Sequence, residues 1–312
     1  MGELTRRVVE SDRIKPLAEA ALLGLSSRLP LGTNVFSKDW DMLVLLDTCR
    51  VDALRSLRGE FDFLDDVGST WSVGSSTREW AANTFTPEFA DEIGRTAVVT
   101  SNPRVPWVLD GQGGLEGEFA GRFTDWTTVG RETVGLLDAL SEYAPKEPYG
   151  GLVTPDVVTD RAIRVGRARS FDRLIVHYLP PHNPYRSRAL RTGGEIRSHE
   201  YRPFDHLRDG GDRATVRSAY LDELRWALEH VETLLENVDA ERTVISADHG
   251  ELFGHLGLYS HPTGVPHPSL RRVPWVRTTA TDGGSYDPHF DRAPDGAVSA
   301  DTAEQLEHLG YR

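Results

Sequence analysis

The stretch that decides the fold class runs from Ile245 to His261 and reads Ile-Ser-Ala-Asp-His-Gly-Glu-Leu-Phe-Gly-His-Leu-Gly-Leu-Tyr-Ser-His. The overlapping segment Arg242-Thr-Val-Ile-Ser246 is apolar and β-branched, which is typical of a short buried strand. Asp248 and His249 follow this strand, so they would lie at the carboxyl edge of a sheet, where open α/β sheets bind ligands. A carboxylate beside an imidazole offers an oxygen and a nitrogen to a divalent cation. The stretch predicts a metal site at a sheet edge, although a simple turn could also contain Asp-His-Gly.

Composition sets the class of protein. The chain has 312 residues, enough for one large α/β domain or two small ones. A net charge of -13 argues against a nucleic-acid partner held through phosphates. No apolar run approaches the ~20 residues needed to cross a bilayer, and the charged N-terminus lacks a secretory signal. With a single cysteine, Cys49, no intrachain disulfide can form, and we expect a cytoplasmic protein without a transmembrane segment. The oligomeric state is not indicated.

Strand-like and helix-like segments alternate along the chain, which predicts an α/β fold with a mostly parallel central sheet flanked by helices. The predicted strands cover 41–47, 95–100, 172–179 and 242–246, with a further edge strand over 272–276. The predicted helices cover 14–28, 50–57, 154–167, 212–237 and 299–309, and another begins near Thr77. Residues 186–212 are polar and glycine-rich and are predicted to form a loop.

The domain organisation follows from the same segments. Residues 1–36 form a predicted N-terminal helical segment, whose helix lacks a basic face and is expected to pack on the protein rather than on a membrane. Residues 37–312 form a single predicted α/β domain. An irregular insertion around 105–150, rich in glycine and aromatic residues, is expected to shape the mouth of the site.

Six segments, taken together, resemble the alkaline phosphatase and sulfatase superfamily. They are Leu43–Asp52, His177–Tyr185, Tyr220–Leu224, Ser246–Glu251, His261 with Arg272–Trp275, and Leu309–Tyr311. They occur in the family's order and span most of the chain. The resemblance implies an alkaline-phosphatase-like sandwich and a metal-dependent ester hydrolase or transferase. In such enzymes a hydroxyl attacks phosphorus or sulfur, and a covalent ester forms and is released. The implied substrate is an anionic ester of a small molecule, a glycan or a lipid.

The resemblance also implies roles for particular residues. Asp47 matches the family's first metal ligand, and Asp248 and His249 match the ligands on a later strand. The cation could be Mn, Zn, Mg or Ca. His182 and His261 match positions near the substrate or a second metal, but each could instead be a structural histidine bonded to a backbone carbonyl.

Ser76 is the predicted nucleophile and a further metal contact, because the family places a hydroxyl or thiol just before a helix. A helix N-terminus also stabilises an alkoxide and an anionic substrate. Ser72 and Ser75 remain alternatives, and all three serines could instead be caps and turn formers. Among the histidines, His177, His255 and His267 are weaker candidates.

The segment Ser76-Thr-Arg-Glu-Trp80 departs from the sulfatases, which make a formylglycine from Cys or Ser within Cys/Ser-x-Pro-x-Arg. Both the proline and the arginine are missing here, so an unmodified hydroxyl is expected. Phosphate esters or phosphodiesters are therefore the favoured substrates. The alternatives are an arylsulfatase-like sulfuric ester hydrolase and a degenerate, non-catalytic family member. Intact Asp47, Asp248 and His249 speak against the latter.

Overall fold

The computed structural model describes residues 15–29, 31–111, 124–168 and 170–291. Within these ranges the strands are β1 (Met42–Leu46), β2 (Gly68–Trp71), β3 (Thr96–Thr100), β4 (Leu136–Ala139), β5 (Arg173–Tyr178), β6 (Ala240–Ser246), β7 (Leu252–His255), β8 (Leu258–Ser260) and β9 (Arg272–Ala280). The α-helices are α1 (Lys15–Arg28), α2 (Val51–Ser56), α3 (Thr77–Thr84), α4 (Ala90–Gly94), α5 (Arg104–Leu109), α6 (Pro155–Ala168), α7 (Ser187–Thr192), α8 (Ser198–Tyr201), α9 (Pro203–Arg208), α10 (Arg213–Leu235) and α11 (Pro268–Arg271).

The central sheet has seven strands in the order β2-β9-β6-β1-β5-β3-β4. Strands β6, β1, β5, β3 and β4 pair in parallel, whereas β9 runs antiparallel to both of its neighbours, β6 and β2. A mostly parallel sheet flanked by helices confirms the predicted α/β fold. Strand β1 lies between β5 and β6, and all five of its residues are buried. This explains its unbroken apolar run, because a central parallel strand is covered on both faces.

The two faces of the sheet carry separate cores. Met42, Val44 and Leu46 of β1 belong to the core that also contains the buried residues of α6 and α10. Leu43 and Leu45 belong to the opposite core, with buried residues of α3 and α5. Because side chains alternate along a strand, a residue at position 47 continues the second set and faces α3. The carboxylate of Asp47, the residue that follows β1, therefore points toward the amino end of α3.

Several expectations about individual segments need correction. Strand β9 is not an edge strand, because β2 pairs with its outer side. The predicted loop over 186–212 contains the short helices α7, α8 and α9. The region 105–150 contributes most of α5 and all of β4, which pairs with β3 in the main sheet. The helices α5, α7, α8 and α9 and the strand β4 have six residues or fewer, too few to show a clear hydrophobic period.

The N-terminal helix forms as expected, and Ala20 and Leu23 are buried, with Trp126 packed against them. Within the described ranges, no helix has both the length and the apolar character required to cross a membrane. The predicted helix over 299–309 lies outside the described residues. The division into a segment 1–36 and a domain 37–312 stays a prediction.

Candidate active site

Four buried polar side chains meet at the carboxyl edge of the sheet. Asp47 follows β1, Asn102 follows β3, His177 lies near the end of β5, and Asp248 follows β6. Because parallel strands end at the same edge, residues far apart in sequence converge there. Asp47, His177 and Asp248 each place one ligand atom within 4.8 Å of the other two. The predicted ligands Asp47 and Asp248 are therefore adjacent, and His177, a weaker candidate in the sequence, joins them.

His249 adds a second imidazole to this cluster. Its Nε2 lies 3.4 Å from Oδ1 of Asp47 and 3.4 Å from Oδ2 of Asp248. Its Nδ1 lies 2.9 Å from the carbonyl oxygen of Gly250, an acceptor that requires the proton on Nδ1. The lone pair of Nε2 is then directed at the two carboxylates. That arrangement is unfavourable unless a proton or a metal cation lies between them.

The electrostatics of the cluster favour neutral histidines. Burial lowers the pKa of His177 to about 4, and burial also lowers the pKa of His249. Burial, with the charge of Asp248, raises the pKa of Asp47 well above its ordinary value. Burial alone would raise the pKa of Asp248 too, but His249, His177 and a hydrogen bond from Thr77 hold it below its ordinary value. Neutral imidazoles are the form that binds metals.

The cluster also contains polar atoms that lack hydrogen bonds. In the described part of the chain, Asp47 Oδ1 and both ring nitrogens of His177 are buried without a hydrogen-bond partner. Buried polar atoms are normally paired, so these atoms need an explanation. A divalent cation would satisfy them, because carboxylate oxygens and imidazole nitrogens are common metal donors. The residues therefore fit a divalent cation.

Thr77 places its side chain within this cluster. Its hydroxyl donates to Oδ2 of Asp248 at 2.6 Å and lies 3.3 Å from Nε2 of His249. The amide of Asn102 donates to Thr77 Oγ1 at 3.1 Å and to Asp47 Oδ2 at 2.6 Å. Thr77 is the first residue of α3 and is fully buried. A hydroxyl thus lies at a helix N-terminus, in contact with three members of the cluster.

Ser76 does not have the predicted orientation. It is the N-cap of α3, with extended dihedral angles of φ -148° and ψ 160°, and its Oγ accepts the N–H of Glu79. The same Oγ is hydrogen-bonded to Thr263 Oγ1 at 2.9 Å. The expectation that the Ser76 hydroxyl faces Asp47 and Asp248 is therefore wrong, because capping turns it back over its own helix. The hydroxyl that faces the cluster belongs to the next residue, Thr77.

The two alternative serines have structural partners. Ser72 donates to the main-chain oxygen of Asp248, and Ser75 donates to Oε2 of Glu79 at 2.8 Å. Each hydroxyl supports a loop near the site without contacting the carboxylates of the cluster. They match the alternative interpretation of these serines as turn formers.

His261 lies beside His249 of the cluster, and His182 lies beside His261. The ring of His261 is centred 4.7 Å from that of His249 and 4.9 Å from that of His182. Nδ1 of His261 lies 3.2 Å from Oε2 of Glu251, and Nδ1 of His182 donates to the main-chain oxygen of Asn183 at 2.5 Å. The structure thus brings three histidines together. Burial lowers the pKa of His182 well below its ordinary value.

The other candidates lie elsewhere or were missed. His255, in the β7-β8 hairpin, and His267 lie next to each other, with rings 5.8 Å apart and tilted by 47°, and His255 contacts Arg213. Thr77 and Asn102 were not singled out from the sequence. A signal for Asn102 exists, since it follows the predicted strand that ends at Thr100. For Thr77 the signal was the helix start itself, whose position is uncertain by one or two residues from sequence.

A long helix supports the turn that carries Asp47. The hydroxyl of Tyr220 in α10 donates to the carbonyl of Thr48 at 2.9 Å and accepts the N–H of Arg50 at 3.0 Å. Thr48 has a positive φ of 65°, which is unusual for a β-branched residue. Arg50 also donates to the carbonyl of Glu251 at 2.8 Å. These bonds tie the end of β1 to the loop that follows β6.

The fold and the site together define a class: an α/β protein with a buried acid–histidine cluster beside a helix-terminal hydroxyl. Among solved structures, the soluble domain of lipooligosaccharide phosphoethanolamine transferase A from Neisseria meningitidis is similar, with 15% identity, 75% of each chain covered and a TM-score of 0.45. The integral membrane protein of that name from the same organism has 14% identity and a TM-score of 0.47, with 79% of this chain and 49% of that chain covered. No protein-family model matches, and neither does any curated protein.

Proposed function

We propose that this protein is a metal-dependent enzyme that transfers or hydrolyses phosphate esters, with Thr77 as its nucleophile. One observation carries the proposal: the Thr77 hydroxyl donates to Asp248 inside a buried cluster whose donor atoms suit a divalent cation. A threonine that served only as a helix residue would not need two buried carboxylates and two neutral imidazoles around it. The buried groups also exclude water, which strengthens their electrostatic effect on the reaction.

Asp47, His177, Asp248 and His249 would hold the cation. The mixture of oxygen and nitrogen donors favours Zn²⁺ or Mn²⁺ over Mg²⁺ and Ca²⁺, which prefer oxygen ligands alone. When bound, the cation would lower the pKa of the hydroxyl and stabilise negative charge on the transferred group. Asn102 would fix the direction of the Thr77 side chain, because its amide donates to both Thr77 and Asp47.

The reaction would proceed in two displacements. In the first, Thr77 Oγ1 bonds to phosphorus, its proton passes to Asp248, and the bond from phosphorus to the leaving oxygen breaks. His261 protonates the leaving oxygen, because its ring lies 4.7 Å from that of His249 and its Nδ1 lies 3.2 Å from a carboxylate oxygen of Glu251, whereas His182, which burial keeps neutral, packs against the His261 ring and orients the substrate. In the second, the oxygen of water or of an acceptor alcohol bonds to phosphorus and gives its proton to that histidine, and the bond from phosphorus to Thr77 Oγ1 breaks. Asp248 then returns its proton to Thr77.

Phosphate esters are favoured over sulfate esters by the identity of the nucleophile. Formylglycine, the sulfatase nucleophile, is an aldehyde made from Cys or Ser. Oxidation of a threonine at Cβ would give a ketone instead, so Thr77 cannot become formylglycine. The substrate class remains an anionic ester on a small molecule, a glycan or a lipid. A cytoplasmic location stays a prediction and is consistent with the single, buried Cys49.

A substrate and metal panel tests the proposal. The protein is stripped with a chelator, reloaded with Zn²⁺, Mn²⁺, Mg²⁺ or Ca²⁺, and assayed on p-nitrophenyl phosphate, bis(p-nitrophenyl) phosphate and p-nitrophenyl sulfate. We expect turnover of a phosphate ester that disappears with the chelator and returns with Zn²⁺ or Mn²⁺. Faster turnover of the sulfate ester would reverse the substrate assignment. Metal binding without turnover of any ester, with and without alcohol acceptors, would instead favour a non-catalytic binding protein.

A further inference from the structure

A fully buried ion pair lies close to the proposed nucleophile, and its carboxylate is on the same helix. Glu79 is on α3, two residues after Thr77, and its carboxylate contacts the guanidinium of Arg271. Oε2 of Glu79 accepts the N–H and the hydroxyl of Ser75, both at 2.8 Å. The same oxygen accepts the N–H of Gly264 at 3.1 Å. One carboxylate therefore joins the start of α3 to a loop 185 residues further along the chain.

That loop, Pro262–Gly264, comes immediately after His261. The Ser75 hydroxyl shares its one proton between Glu79 and the carbonyl of Pro262, which lies 3.0 Å from Oγ, and Ser76 Oγ is hydrogen-bonded to Thr263 Oγ1. Each residue of the loop is thus hydrogen-bonded to the segment that begins α3. Because Thr77 and His261 directly adjoin the two bonded segments, these contacts set the separation of the hydroxyl from the imidazole.

Arg271 contacts the residue that follows this loop and a residue near the N-terminal helix. Its Nε donates to the carbonyl of Val265 at 3.4 Å, and its Nη1 donates to the carbonyl of Leu31 at 3.4 Å. Both side chains of the ion pair are fully buried. Replacing a buried ion pair with apolar residues is often neutral or stabilising, so stability alone does not account for the pair. A geometric role accounts for it, because the two charged groups contact both parts of the site.

We propose that Glu79, held by Arg271, is a positioning residue that fixes the Thr77 hydroxyl relative to His261. The inference rests on the proposed role of Thr77 and concerns alignment in the transition state. Substrate binding and metal affinity depend on other side chains. Loss of the pair should therefore lower kcat and leave KM and the metal dissociation constant nearly unchanged.

The test compares full-length metal-loaded variants on the best phosphate ester of the panel. Glu79→Gln keeps the size of the side chain but leaves one acceptor oxygen for which Arg271 and the loop compete. We expect kcat to fall about 100-fold with KM and metal affinity within about threefold. Arg271→Met should behave in the same way. Arg271→Lys, which keeps the positive charge, should recover most of kcat. Asp138→Asn is the matched control, because Asp138 is buried and paired with Arg161 on a different part of the sheet.

A second readout is independent of activity. Hydrogen exchange of the Gly264 amide should be faster in Glu79→Gln than in the wild type, and unchanged in Asp138→Asn. A folded Glu79→Gln that keeps kcat within about threefold would overturn the inference, as would an equal loss of kcat in Asp138→Asn. Unchanged exchange at Gly264 would also overturn it. If the wild type shows no Thr77-dependent turnover, the proposed function fails, and the exchange experiment still decides whether Glu79 holds the loop.

Discussion

At the scale of single residues, the site depends on where α3 begins. Ser76 caps the helix from an extended conformation, whereas Thr77 is the first helical residue. Successive residues of a helix are rotated by about 100° around its axis, so a shift of one position redirects a side chain completely. Sequence patterns locate a helix start only to within a residue or two. They could therefore predict a hydroxyl at this helix end but not which one.

Alanine substitutions separate the two hydroxyls. Thr77→Ala should lower kcat by at least ~1000-fold, because losing a nucleophile removes the covalent route. Ser76→Ala should cost ~1 kcal/mol of stability as a lost N-cap, with kcat nearly unchanged. Thr77→Ser should keep substantial activity. The measurements are steady-state kinetics and urea unfolding. An inactive Ser76→Ala beside an active Thr77→Ala would identify Ser76 as the nucleophile.

The metal ligands can be tested by calorimetry. His177→Gln should weaken binding of Zn²⁺ or Mn²⁺ by at least ~10-fold, because it removes a buried neutral imidazole from the cluster. His255→Gln is the matched control, since His255 lies on the β7-β8 hairpin and contacts Arg213. Equal affinities in the two variants would remove His177 from the site.

At the scale of elements, a strand could be predicted from the sequence where apolar residues are dense. Strands β1, β5 and β6 could be predicted because each contains at least three consecutive buried residues that are apolar or β-branched. The four-residue strands β2 and β4 were missed, since their residues are mostly only partly buried. Pairing order was also beyond the sequence. Nothing in the residues of β9 indicates that β2 covers its outer edge.

Helix α10 contributes a testable support to the site. Tyr220→Phe leaves the carbonyl of Thr48 and the N–H of Arg50 without their partner. The unfolding free energy should fall by ~1–3 kcal/mol, because two polar groups near a buried site lose their hydrogen bonds. Tyr259→Phe, on the partly exposed strand β8, should change stability by less than ~0.5 kcal/mol. Urea unfolding measures both values, and equal stabilities would show that the Tyr220 hydroxyl does not hold the turn.

At the scale of the whole molecule, burial makes the metal-free protein sensitive to acid. Burial lowers the pKa values of His177, His182 and His249, so these imidazoles stay neutral in the folded protein. In the unfolded chain they gain protons below about pH 6.5. The unfolded state then binds more protons, and the unfolding free energy falls as the pH drops from about 6.5 toward 4. The raised pKa of Asp47 acts in the opposite direction, but one carboxyl opposes three histidines.

Urea unfolding in the presence of a chelator at pH 7, 6 and 5 measures this effect. Each histidine contributes at most ~1.4 kcal/mol per pH unit, so stability should decline between pH 6 and pH 5. His177→Gln should show a shallower decline than the wild type. A stability that is constant or increases over this range would mean that the histidines are not buried as described.

The convergence of the site is also a property of the whole fold. Asp47 and Asp248 could be predicted as neighbours because each follows a strand of one parallel sheet. Asn102 contacts Asp47 across 55 positions of sequence, and no local pattern indicates that contact. From the sequence alone, His177 is only a weaker candidate for the site, because a histidine inside an apolar strand commonly has a structural role. Its orientation toward Asp248 depends on the pairing of β5 with β1, which only the assembled sheet provides.

The central claim, that Thr77 attacks the substrate, is tested most directly by identifying the covalent adduct. The metal-loaded enzyme is mixed with a phosphodiester substrate, quenched in acid and digested, and the peptide that contains residues 72–80 is fragmented in a mass spectrometer. We predict that the substrate's phosphoryl group is attached to Thr77 and that the adduct is absent from Thr77→Ala. An adduct on Ser72, Ser75 or Ser76, or steady turnover in Thr77→Ala, would contradict the account.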